Sequence, residues 1–193
     1  MAAIAVAPSL RRPLAAAALA GLWGTTCLIL GFADGGRLAL GLVLCVVLAA
    51  ITLTDLERRV IPNAIVLPGA LAGIAIVAAT HPGTLAGTLV AAAVAGAGLL
   101  AVALAHPGGM GMGDVKLGAM MGVYLGPAVA TALLVGFACG AAFGAALIVR
   151  HGAAARKRAI PFGPFLALGG VIALWFGDRV LDWYLDEVLA GGG

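Results

Sequence analysis

Long apolar runs follow one another along this chain with few charged residues between them, and this feature constrains the fold more than any other. Leu14–Phe32, Leu38–Thr54, Ala64–Thr80, Thr84–Ala105 and Ala128–Val149 contain no Lys, Arg, Asp or Glu. A helix needs ~20 apolar residues to cross a hydrocarbon core of ~30 Å. Of the 193 residues, 63% are hydrophobic and 10% are charged, whereas soluble domains carry roughly 25% charged residues. A soluble globular fold is therefore excluded, and a disordered chain would need low hydrophobicity. The expectation is an all-α, polytopic membrane helix bundle, a single integral-membrane domain over 1–193, with about seven spans.

Two shorter apolar stretches complete the count, Val115–Leu125 and Phe162–Gly177. The first of these is the fifth span, and from Asp114 it rises only about 18 Å. It is short or broken: a tilted span, a re-entrant segment, or a helix whose end opens on a water-filled cavity, as is tolerated where backbone is buried in protein. Arg11-Arg12 ahead of the first run could mark a signal peptide. The run is too long for that and reads as a retained span.

Basic residues mark the cytoplasmic side. With the N-terminus in the cytoplasm and seven crossings, that side holds Arg11, Arg12, Arg58, Arg59, Lys116, Arg150, Arg156, Lys157 and Arg158, nine of the eleven. The outer side holds Arg37 and Arg179 with the acids Asp34, Asp178, Asp182, Asp186 and Glu187. The net charge of +3 sets topology and signals no nucleic-acid partner. Cys27, Cys45 and Cys139 lie inside apolar runs without a CxxC spacing, and His81, His106 and His151 are scattered over different loops. Neither a metal nor another cofactor is expected. Gly118, Gly122 and Gly126 share one helix face and Gly136, Gly140 and Gly144 another. Such faces let helices approach closely, within the chain or in an oligomer.

Only three acids fall on the cytoplasmic side: Asp55, Glu57 and Asp114. Asp55 and Asp114 are separated by two crossings, so both face one boundary whatever the absolute orientation. Asp55 ends a span, where the helix dipole disfavours an anion; it could pair with Arg58 or Arg59. Asp114 opens a helix and could be its N-cap. Its approach, Pro107-Gly108-Gly109-Met110-Gly111-Met112-Gly113, holds four glycines in six positions, which leaves the backbone open to close approach by another chain. Two carboxylates brought together cannot both ionise readily and share a proton. One then takes a proton from water while the other protonates a scissile carbonyl.

Gly111-Met112-Gly113-Asp114 resembles the GxGD motif of intramembrane aspartyl proteases. Gly109–Leu117, followed by Tyr124-Leu125-Gly126, resembles the second catalytic segment of type IV prepilin peptidases. Asp55 with Ile61-Pro62-Asn63 resembles that family's first catalytic segment, and Ile160-Pro161-Phe162-Gly163-Pro164-Phe165-Leu166-Ala167 its last motif before the terminal span. The resemblance covers roughly residues 38–175. It implies that Asp55 and Asp114 are the catalytic pair and that Gly111 and Gly113 shape the active-site loop. Pro62 and Asn63 are expected to end one span and start the next, and Lys116 reads as a boundary charge.

The resemblance further implies a membrane aspartic endopeptidase of the cytoplasmic (inner) membrane. It would cut prepilins or pseudopilins after a leader glycine at the cytoplasmic boundary, with the lipid bilayer as its other partner. Longer members carry a cytoplasmic domain with paired CxxC motifs, and many N-methylate the new N-terminus. This chain resembles the short form, and methyltransferase activity is not expected. Three other readings stay open from the residues alone: a small ion or solute transporter with intramembrane Asp, a silent scaffold for pilus assembly, and a GxGD protease of other membrane substrates.

Overall fold

The computed structural model of the chain describes residues 8–106, 109–152 and 161–190. Pro107, Gly108, Arg156, Lys157, Arg158 and Ile160 lie outside the described residues. Seven α-helices follow in order among the described residues: α1 (Pro8–Leu30), α2 (Gly35–Arg58), α3 (Asn63–Thr80), α4 (Leu85–Ala105), α5 (Met112–Leu125), α6 (Val129–His151) and α7 (Gly163–Tyr184). Short 3₁₀ turns sit at Pro82–Thr84 and Gly126–Ala128, and a π-helical turn, Leu185–Ala190, follows α7.

Five stretches are long and apolar enough to cross a membrane: Gly35–Arg58, Asn63–Thr80, Pro82–Ala105, Met112–His151 and Gly163–Glu187. Ala16–Leu30 is a shorter apolar helix. The expected multi-pass helical membrane bundle is thus the observed fold. The stretch Met112–His151 has 40 residues, which as one straight helix would extend about 60 Å. It is broken at Gly126, whose φ of 55° and ψ of −137° lie outside the range of ordinary side chains, and Pro127 follows. The break makes α5 and α6 separate helices.

Several helices run further than the apolar runs suggest. α2 continues through Asp55 to Arg58, α5 starts at Met112 ahead of Asp114, and α7 passes Gly177 and reaches Tyr184. Charge ends an apolar run but not a helix, since Arg and Glu are good helix formers, and Asp55, Asp114 and Asp178 in these extensions have partners. Arg37 in the first turn of α2 forms an ion pair with Asp178 of α7. Asp34 caps α2 by accepting the Arg37 N–H at 2.9 Å, and its other oxygen meets His81 Nε2 at 3.0 Å. The N–H bond from Arg37, and then His81, hold the Asp34 carboxyl below the usual carboxylate range.

The helices pack in a definite order. α7 lies antiparallel to α2, with Gly163 against Asp55, Gly170 against Leu48 and Leu174 against Gly41. α5 runs parallel to α3, with Gly113 against Ile61, Met120 against Gly69 and Tyr124 against Gly73. It runs antiparallel to α4, where Gly118 takes Leu99 and Gly122 meets the backbone of Ala91 and Ala92. Nine of the fourteen residues of α5 are buried, and Leu117 and Met121 are sealed in one core with Leu44, Leu48, Ile51 and Leu166.

The short fifth helix is therefore the inner one. It need not match the full hydrocarbon thickness, because protein covers it. It ends on a cavity of about 290 Å³, lined by Asp34, Arg37, His81, Thr84, Tyr124 and Pro127 among others. This is the end of the bundle away from Asp55 and Asp114. Most glycines of the two stripes pack within the chain. Gly136 and Gly140 receive Leu166 and Phe162 of the α7 region, while Gly144 faces open space and takes no part.

Candidate active site

Four chain segments converge at one end of the bundle: the end of α2, the start of α3, the start of α5 and the start of α7. The turn from α2 to α3 is set by two residues. Arg59 closes α2 in a left-handed conformation (φ 54°, ψ 39°), its N–H bonding the Asp55 carbonyl at 2.8 Å. Pro62 is extended, with φ −76° and ψ 134°, and α3 starts at Asn63. The expected stop-and-start role of Pro62 and Asn63 agrees with this backbone. Asn63 does more: its Oδ1 accepts a hydrogen bond from Lys116 Nζ at 3.0 Å, tying the first turn of α3 to that of α5.

Asp55 and Asp114 both point inward here. Only 5% of Asp55 and 9% of Asp114 is exposed, an unusual state for carboxylates, which are rarely buried without partners. Asp55 forms no ion pair with Arg58 or Arg59 among the described residues. Its Oδ2 accepts instead from the backbone N–H of Gly163 at 2.9 Å, in a buried bond spanning 108 positions of sequence. Asp114 is not the N-cap of α5. That position is Gly111, and Asp114 sits three residues on, its Oδ2 accepting the Gly111 N–H at 3.2 Å. This is the acidic half of a capping box; Gly111 has no side chain to return the bond.

The two glycines of the motif do different things. Gly111 is the turn residue before the helix. Gly113 is already inside the first turn of α5, and a Cβ there would lie 2.8 Å from Ile61 Cβ. It lets the start of α5 sit directly against the chain that leaves Asp55. The three expected clusters of sequence thus meet, but Gly163 was legible only as part of a motif, not as a partner of Asp55. Its signal was the Gly-Pro start of a helix, which marks a first turn with a free N–H. His81 lies at the far end with Asp34, and His151 bonds the Leu147 carbonyl.

A sequence model of the type IV leader peptidase family matches residues 42–145. The chain belongs to this family. The matched region contains Asp55, Gly111, Gly113 and Asp114, and Gly163 lies beyond it. A prepilin leader peptidase/N-methyltransferase of Aeromonas salmonicida is 37% identical over 163 residues, covering 80% of this chain and 54% of the relative. The protein of the same description in Bacillus subtilis is 36% identical over 148 residues, 74% of this chain and 57% of the relative. That of Legionella pneumophila is 41% identical over 80 residues, 39% of this chain and 26% of the relative. The chain spans about half the length of the curated relatives it matches over most of its own length. No solved structure matches it.

Proposed function

We propose that the chain is a membrane aspartic endopeptidase that removes the leader peptide of prepilins or pseudopilins, with Asp55 and Asp114 as its catalytic pair. The observation that carries this reading is that two buried carboxylates lie at one end of the bundle, on segments that touch through Gly113 and Ile61, in a chain of the leader peptidase family.

A pair that shares one proton divides the work of hydrolysis. The ionised carboxylate takes a proton from water, whose oxygen attacks the scissile carbonyl carbon. The protonated partner gives its proton to the carbonyl oxygen. Collapse of the tetrahedral intermediate breaks the C–N bond, and the departing amine takes up a proton from the pair. No covalent enzyme intermediate forms.

Gly111 and Gly113 shape the approach to Asp114. The end of the bundle that holds the pair is read as cytoplasmic, with the N-terminus on the same side in the inner membrane, because Arg58, Arg59, Lys116 and Arg150 cluster there. A substrate whose basic leader stays in the cytoplasm and whose apolar helix enters the bilayer would present its scissile bond at this depth. The methyltransferase half of the relatives' name is not carried over.

The test is processing of a prepilin in membranes. Asp55→Asn and Asp114→Asn should each abolish cleavage, a loss on the order of 10²–10⁴-fold or more for a general acid or base. Processing that survives both substitutions overturns the mechanism. Ion-dependent flux in liposomes, lost on Asp114→Asn while prepilin stays uncut, would replace it with the transporter reading.

A further inference from the structure

We infer that Gly163 is a positioning residue of the site: its N–H fixes one oxygen of Asp55, and its missing side chain makes the room in which that carboxylate sits. The kinetic part of this inference rests on the proposed function; the geometric part does not.

The first turn of α7 has one donor to give. Pro164 has no N–H, and the N–H groups of Phe165 and Leu166 both go to the Phe162 carbonyl, at 3.0 and 3.2 Å. The Gly163 N–H is left over, as the opening N–H groups of a helix are, and it goes to Asp55 Oδ2 at 2.9 Å. Proline at the second helical position thus leaves Gly163 without a competing neighbour. The bond also answers a problem at the end of α2, whose dipole disfavours an anion, by bringing the positive end of α7 to the same carboxylate.

Space points the same way. A Cβ built on Gly163 would lie 2.8 Å from Asp55 Oδ2, 3.1 Å from its Cγ and 3.3 Å from its Cβ. Any side chain at 163 pushes the carboxylate out of its seat. Asp55 Oδ1 accepts no hydrogen bond among the described residues. Gly163 therefore holds one oxygen and leaves the other for water or for Asp114.

Gly163→Ala tests this in the full chain, purified in detergent. An apolar carbodiimide labels Asp55 and Asp114, and mass spectrometry gives the ratio of the two. The ratio should rise several-fold in Gly163→Ala, because the Asp55 carboxylate is displaced toward solvent while Asp114 keeps its bond to Gly111. On a prepilin substrate, kcat should fall by about 10²-fold, the scale of a 1 Å misplacement, with KM near that of the parent chain. A ratio and kcat equal to those of the parent overturn the inference. So does a kcat that is unchanged while the ratio moves.

Where Gly163→Ala fails to fold, an amide-to-ester replacement at position 163 deletes the N–H and adds no atom. It should give the same shift in ratio and loss of kcat, and unchanged values overturn the inference. A parent chain that leaves prepilin uncut refutes the proposed function instead, and the labelling ratio alone then decides whether Gly163 seats Asp55.

Discussion

Gly122→Ala should loosen the helix pair that carries Asp114. Gly122 lies on the face of α5 that meets α4, and an added Cβ would lie 2.5 Å from Ala92 Cα, 2.6 Å from Ala92 N and 2.9 Å from the Ala91 carbonyl carbon. These atoms are all backbone, so no side chain can rotate aside. Carbon contacts sit at about 3.5–4.0 Å, so α4 has to retreat by about 1 Å. Its two buried residues are Ala95 and Leu99, and Leu99 seats against Gly118 on the same face. A gap of 0.5–1 Å already forfeits roughly a quarter to a half of each contact's attraction.

Overpacking of this kind costs about 1–3 kcal/mol, and the backbone-to-backbone clash puts Gly122→Ala in the upper half. A loss of about 2–3 kcal/mol lowers the folding equilibrium by roughly 30- to 150-fold. The assay is reversible unfolding in mixed micelles beside Gly98→Ala. Gly98 lies inside α4 with nothing within 4 Å of its added Cβ. Alanine there should be neutral or stabilise by up to about 1 kcal/mol. A Gly122→Ala chain as stable as Gly98→Ala would refute the close α4–α5 approach.

Two further outcomes are expected. Tyr124→Phe removes a buried hydroxyl that donates to the Gly69 carbonyl at 2.6 Å, and should cost about 1–2 kcal/mol in the same unfolding assay. Asp34→Asn keeps a capping side chain but cannot titrate. The Asp34 carboxyl is held below its ordinary range, so its contribution is full above the unfolded value near 3.9 and is lost as pH falls through the lowered folded value. The difference in unfolding midpoint between the two chains that is due to the Asp34 charge should be lost as pH falls below about 4.

Fold class was legible because it rests on composition alone: 19 formal charges in 193 residues leave a membrane bundle and little else. The convergence of Asp55 and Asp114 was legible as parity, since two crossings return a chain to its starting side. Helix bounds were less so. Asp178 follows the last apolar stretch, Phe162–Gly177, yet it lies within α7, in an ion pair with Arg37. Its partner is 141 positions away, and no local pattern reports a pairing of that range. The same holds for Gly163. Its motif was visible, but its role depends on α7 lying antiparallel to α2, a fact of packing. The reading of Asp114 as a cap failed for a smaller reason: Asp serves both at the N-cap and three positions later, and glycine at 111 leaves the second role open.

The placement of the two carboxylates suggests how so sparsely charged a chain supports a pair of acids. Among the described residues, no Lys or Arg reaches either carboxylate within ion-pair distance. Each instead takes a hydrogen bond from the opening N–H of a helix or its cap, Asp114 from Gly111 at 3.2 Å and Asp55 from Gly163 at 2.9 Å. Backbone N–H groups at helix starts are ready anion partners, and they bring no second buried charge that would itself need a partner. They are also fixed by the helices they open. A cation beside them would favour the ionised form of both carboxylates, and the proposed mechanism needs one of the two to keep a proton. An N–H at the start of a packed helix holds one oxygen in place and does not titrate.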